Sequence, residues 1–247
     1  IMSEFKFPTE EVELPSKGLI YPQDNPLSSG KIEMKYMTAK EEDILTNQNY
    51  IKQGTVIDKL LKSLIIDKNI NYEDLIVGDK NAILIAARIL GYGKDYNFKY
   101  NNEDINIDLT TLETRYLDKS TMLEGKNEFS FTLPHTNTII TYKILNSRDE
   151  KKIEAEVKGL KKINKGSSPD LSTRLKYMIL SVNGETENSK IREFVDNYLL
   201  ARDSRAFREH LKNTQPDIVM EFDYMGDQGI EEGVVIPMTA GFLWPDS

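Results

Sequence analysis

Apolar residues change their period several times along this chain, and each change predicts a change of element. In the first thirty residues they have no period. Pro8, Pro15, Pro22 and Pro26, with Gly18 and Gly30, forbid a long helix there and favour extended and turn conformations. Phe5, Phe7, Leu14, Leu19, Ile20 and Tyr21 are too many for a solvated linker. Residues 1–30 are therefore expected to form an extended, Pro-rich arm that packs on a surface, either the chain's own or a partner's.

Helical spacing begins after it. Thr38-Ala39-Lys40-Glu41 has the hydroxyl and carboxylate of a capping box. Val56, Ile57, Leu60, Leu61 and Leu64 then form one apolar stripe, and Asp79 to Leu90 predicts a more deeply buried helix stopped by Gly91 and Gly93. Residues 31–93 are thus an N-terminal helical segment.

Period two follows. Tyr96, Phe98 and Tyr100 alternate with polar residues, Asn101-Asn102 can turn, and Ile105, Ile107 and Leu109 alternate again. Phe129, Phe131 and Leu133, a turn from Pro134 to Asn137, and Ile140, Tyr142 and Ile144 give a second pair, so 94–145 is a β-hairpin region. Residues 146–213 return to helix. Ser147-Arg148-Asp149-Glu150 has capping-box spacing ahead of Ile153, Val157 and Leu160. Ser168-Pro169-Asp170 opens the next helix, whose stripe runs through Leu171, Leu175, Met178, Ile179 and Val182 to Gly184. Ile191, Phe194, Val195, Tyr198 and Leu199 mark another, and Asp203 to Leu211 the last. Residues 214–247 form a hairpin, with Ile218, Met220, Phe222 and Tyr224 before a turn at Gly226 to Gly229, and end in an aromatic tail. The expected class is α+β: two mainly helical segments, interspersed antiparallel β-hairpins and an N-terminal arm. We expect two lobes, the alternative being one bundle from which the hairpins project.

Composition narrows the function. Its 247 residues suffice for genuine cores, and 39% apolar with 29% charged residues is an ordinary soluble balance. The net charge of -8 disfavours broad nucleic-acid binding. Lys158, Lys161, Lys162 and Lys165 make a local basic stretch, offset by Glu150, Glu154 and Glu156, and are read as a solvated helix face. With no cysteine there are no disulfides or thiolate sites, which suits a reducing cytosol. The apolar run Ala82 to Leu90 is far below the ~20 residues that span a bilayer, and Ile1 to Leu14 does not read as a signal peptide.

Reactive constellations are missing as well. Gly91-Tyr92-Gly93-Lys94 ends a helix, where a phosphate loop would open one. His135 and His210 lack zinc-protease spacing and read as surface or structural histidines. Gly166-Ser167-Ser168-Pro169 lacks the second glycine of a nucleophile elbow. Glu41-Glu42-Asp43 and Glu231-Glu232 read as solvated or turn carboxylates. Neither a catalytic residue nor a metal ligand is assigned, and no cofactor is expected.

Three stretches carry a resemblance. Leu14-Pro15-Ser16-Lys17-Gly18-Leu19-Ile20-Tyr21-Pro22 with Met34 to Asp43 opens the chain, Ile236-Pro237 to Trp244-Pro245 closes it, and Phe131-Thr132-Leu133-Pro134 with Lys143-Ile144-Leu145 lies between. Together they resemble the baseplate hub assembly proteins of T-even-type tailed phages. The resemblance implies a tail assembly factor or structural subunit that works by binding hub or tape-measure proteins, in the host cytoplasm during assembly or in the tail baseplate of the virion. It implies no catalysis, allows a homo-oligomer and carries no nucleic-acid or membrane partner. Some relatives carry cysteine pairs in segments matching Tyr96 to Leu109 and Ile218 to Ile236, which suggests metal-stapled hairpins; here packing and β pairing must replace them. The expected partner-binding residues are Leu19, Tyr21, Pro22, Phe242, Leu243, Trp244 and Pro245, with Trp244 foremost, against the alternative that the tail folds onto its own core. The other function considered is a carboxylate-dependent hydrolase associated with a phage tail.

Overall fold

A computed structural model of the chain describes residues 8–166 and 168–245. Phe5, Phe7 and Ser167 of the expected arm and caps lie outside them. The fold is α+β, with eight helices and small antiparallel sheets among the described residues.

The first thirty residues are not a free arm. Strand β1 (Thr9–Glu13) pairs antiparallel with β2 (Lys31–Lys35), Glu13 opposite Lys31. The prolines and glycines between them coil the loop back onto the core, where Leu14, Ile20 and Leu27 are buried. Lys17 and Gly18 both have positive φ, and a Cβ on Gly18 would sit 2.5 Å from the Ser28 carbonyl, so only glycine fits.

Helix α1 (Ala39–Leu45) starts at the expected capping box: the Thr38 N–H donates to the Glu41 carboxylate at 2.9 Å. Helix α2 (Gln48–Gln53), capped by Asn47, has too weak an apolar stripe to be read from sequence. Helix α3 (Val56–Leu64) buries Val56, Leu60, Leu61 and Leu64 as its spacing predicts. Helix α4 (Val77–Tyr92) carries Gly91 in its last turn and ends at Gly93.

Strands β3 (Asp95–Tyr100) and β4 (Glu103–Asp108) form the expected hairpin, with Asn101 and Asn102 both at positive φ as a two-residue turn requires. Strand β5 (Thr114–Arg115) follows, then β6 (Phe129–Thr132) and β7 (Ile139–Tyr142). Helix α5 (Ser147–Ile163) is capped by Asn146 with Asp149, one residue earlier than the sequence spacing suggested, because the Asn146 side chain accepts from the Asp149 N–H. Helix α6 (Asp170–Met178) stops sooner than its stripe. Ile179 and Val182 belong instead to β8 (Ile179–Val182), which pairs with β7 to give the order β6-β7-β8. Helices α7 (Asn188–Asn197) and α8 (Ala201–Thr214) follow. Strand β9 (Asp217–Ile218) pairs with β5, and β10 (Glu221–Gly226) with β11 (Gly229–Val235) makes the last hairpin.

The two helical segments share one buried cluster, and this overturns the two-lobe expectation. Several contacts stitch them together. The Ser147 N–H donates to the Leu75 carbonyl at 3.1 Å, Arg148 pairs with Asp74, and Lys151 pairs with Glu73. Gly78 packs so closely on Pro216 that a Cβ would meet its carbonyl oxygen at 1.8 Å. Apolar stripes on both segments are buried more cheaply against each other than in two smaller cores.

Candidate functional site

The opening motif is a staple built around one carboxylate. Asp79, in the first turn of α4, is fully buried and accepts three hydrogen bonds: from the Ser16 N–H at 2.9 Å, the Ser16 hydroxyl at 2.6 Å and the Tyr21 hydroxyl at 2.7 Å. The Tyr21 oxygen in turn accepts from the Ile76 N–H at 3.1 Å, satisfying an orphan amide at the start of α4. Burial pushes the Asp79 carboxyl up to about 6, against the lowering effect of its Ser16 and Tyr21 donors. Burial and the neighbouring Asp79 charge raise the Tyr21 hydroxyl too. Ser16 and Tyr21 are thus recognition residues for the chain's own helix.

The closing motif is bound just as tightly. Tyr96 is buried, and its hydroxyl donates to the Pro237 carbonyl and accepts from the Thr239 N–H at 3.2 Å. Phe242 meets the Tyr96 ring edge-on with centroids 5.1 Å apart. Arg88, buried at the end of α4, lies over the Phe242 ring and donates to the carbonyls of Gly93 and Asp95 at 2.8 Å each. The Trp244 indole N–H donates to the Leu45 carbonyl at 2.9 Å.

The residues expected at a partner surface therefore divide. Tyr21, Phe242 and Leu243 are buried against the chain itself, which corrects their expected exposure to a partner. Apolar side chains this large stabilise the fold by roughly 1.5–3 kcal/mol each when buried. Leu19 and Trp244 are half-buried, while Pro22 and Pro245 are exposed.

Two more carboxylates also act as internal anchors. Glu41 is fully buried, and the solvated role expected of it is wrong: it pairs with Lys35 at 2.6 Å and accepts from the Ser63 hydroxyl at 2.7 Å, joining α1 to β2 and α3. Burial alone would raise its carboxyl, but the bonds from Lys35, Ser63 and Thr38 outweigh that and hold it at about 2. Asp203, in the first turn of α8, accepts from the His135 N–H at 2.8 Å and from the Thr136 N–H and hydroxyl at 3.2 and 2.8 Å, closing the β6–β7 turn. Burial opposes its ionisation, yet these donors lower its carboxyl below the ordinary range.

His210 stacks on Phe131 with centroids 4.5 Å apart, and its Nε2 lies 3.0 Å from the Tyr142 hydroxyl at the edge of a small cavity of 110 Å³. Burial lowers the imidazole and pushes the Tyr142 hydroxyl up to about 12, so both are neutral near pH 7. Asp79 lines none of the principal clefts. No group of three or more His, Asp or Glu side chains is placed to hold a metal among the described residues.

The outer surface carries a different signal. Residues 214–247 contain seven acidic residues and neither Lys nor Arg. Within them Met225 and Ile230 face each other across the β10–β11 ladder, 71% and 61% exposed. Charge asymmetry in the sequence is the readable trace of this surface. Comparison with family models, curated proteins and solved structures finds no match to this chain.

Proposed function

We propose that this chain is a protein-binding component of phage tail assembly, acting in the host cytoplasm and contacting baseplate hub or tape-measure proteins. The observation that carries the proposal is the pair of terminal motifs and their resemblance to T-even-type baseplate hub assembly proteins. The fold adds support. Both motifs are fixed on one core by Asp79 and Tyr96, which leaves Leu19, Pro22, Trp244 and Pro245 with solvent-facing surface in defined positions. Half-buried Leu and Trp side chains beside exposed prolines on rigid supports suit protein contacts, because little side-chain freedom is lost on binding.

The hydrolase alternative has less support. Asp79, Glu41 and Asp203 hold loops and helix ends through their hydrogen bonds, and the carboxyl with the most raised pKa faces protein on every side. Paired-acid catalysis needs a carboxyl that can reach a substrate.

Co-expression with hub and tape-measure proteins, followed by affinity capture, tests the proposal. A complex weakened by Trp244→Ala or Leu19→Ala is expected. Absence of any complex, together with normal tails after gene deletion, overturns it.

A further inference from the structure

The β10–β11 ribbon has two faces of different character. Phe222 and Tyr224 point inward and pack edge-on against Tyr100, with centroids 5.7 and 4.9 Å away. The opposite face presents Met225 and Ile230 as a directly opposed pair, with Val235 opposite Glu221 and 69% exposed. Alternation along the strands puts Asp223 on this same outer face. Apolar side chains so placed gain nothing from the chain's own core.

The charge of the ribbon is uncompensated. Among the described residues no Lys or Arg lies within ion-pairing distance of Glu221, Asp223, Asp227, Glu231 or Glu232. Glu231 faces inward, where it accepts from the Tyr100 hydroxyl, while Glu221 and Asp223 flank the apolar strip with no cation beside them, so the outer face calls for a partner that is basic with an apolar floor.

The same chain carries such a surface. A groove between α5 and α6 has Ile153 and Val157 among its lining residues and is walled by Lys158, Lys161, Lys162, Lys165 and Arg174. Of its three carboxylates, Glu150 pairs with Arg174 and Asp170 with Lys161, which leaves Glu154 alone against Lys158, Lys162 and Lys165. Those three lysines make no ion pair among the described residues, and their methylene stems extend the apolar lining. Among the described residues no ion pair joins groove to ribbon.

We propose that the acidic β10–β11 ribbon of one copy docks into the basic α5–α6 groove of a second copy. Each half is the charge complement of the other. The two lie on different elements, so the contact either pairs reciprocally across a twofold axis, each ribbon in the other copy's groove, or repeats head to tail into a ring or filament. This deepens the protein-binding reading by naming one partner, and the two fail separately: a chain that binds hub proteins but never itself leaves the proposed function standing and removes this one.

The test is sedimentation velocity on the full chain at about 0.1 M and about 1 M salt, where the screening length falls from about 10 Å to about 3 Å. Association is expected at the lower salt and dissociation at the higher. The groove variant Lys158→Glu with Lys162→Glu, and the ribbon variant Glu221→Lys with Glu232→Lys, should each weaken self-association at least about tenfold through like-charge contact. Mixing the two variants should restore it, which a merely structural defect would not do. Circular dichroism checks that each folds; should either fail, Met225→Ser with Ile230→Ser replaces it and is expected to be monomeric. A wild-type chain that is monomeric at its solubility limit, folded variants that associate like the wild type, or a mixture of the groove and ribbon charge variants, both folded, that stays monomeric overturns the proposal.

Discussion

Tyr21→Phe separates a residue that holds the fold from one that meets a partner. The substitution removes one oxygen and leaves no cavity, because the ring keeps its buried place. Two interactions go with it. Asp79 loses one of its three donors, and the Ile76 N–H, buried at the start of α4, loses its acceptor. A hydrogen bond to a charged group contributes about 1.5–3 kcal/mol and an orphaned buried donor costs about 1–3 kcal/mol, so a loss of about 2.5–6 kcal/mol is expected above the Asp79 pKa. The pH dependence follows from the carboxyl raised to about 6. A carboxyl held above its unfolded value binds its proton more tightly in the folded state. Its contribution to stability is therefore fully present below the unfolded value and is lost as pH rises through about 6. Tyr21 is one of the donors that lower this carboxyl, so Phe at position 21 raises it further and widens that window. At about pH 5 the Tyr21 partner is a neutral carboxyl, whose hydrogen bond contributes nearer 1 kcal/mol, and the loss should shrink by about 1 kcal/mol. Urea unfolding of both proteins at about pH 8 and pH 5 measures this. A variant within about 0.5 kcal/mol of the wild type at the higher pH, or one whose loss is no smaller at the lower, would refute the staple.

Further outcomes follow from the other anchors. Asp203→Asn should cost about 1–3 kcal/mol, since the amide NH2 faces donors at His135 and Thr136. Because the Asp203 carboxyl is depressed in the fold, its contribution is present above the ordinary carboxylate value and lost as pH falls, so wild type and variant should converge in acid urea titrations. Gly78→Ala should destabilise by at least about 2 kcal/mol through overpacking on Pro216, read by thermal melting; an unchanged melting temperature would mean that α4 and the 214–218 segment are not in contact. Trp244→Phe removes the bond to the Leu45 carbonyl and should cost about 1 kcal/mol in urea unfolding followed by circular dichroism, whereas a tail that serves a partner alone would show no loss.

What the chain's order of residues determined by itself was whatever depends on near neighbours. The β3–β4 hairpin was legible because alternation from Tyr96 to Ile107 and two asparagines able to take positive φ specify it within a few residues. The α+β class and the stripe of α3 follow from the same short-range periodicity. Tertiary structure decided everything that depends on distant partners. Ile179 to Val182 continue a helical stripe, and they become strand because the edge of β7 is there to pair with and the Lys143 N–H takes the Met178 carbonyl. Burial of Glu41, Asp79 and Asp203 had no local signal, because their donors at Ser63, Ser16 and His135 lie 22, 63 and 68 residues away. The first thirty residues announced an apolar segment in need of a surface without saying which. A hydrophobic pattern fixes what must leave water, and only the assembled fold fixes what it packs against.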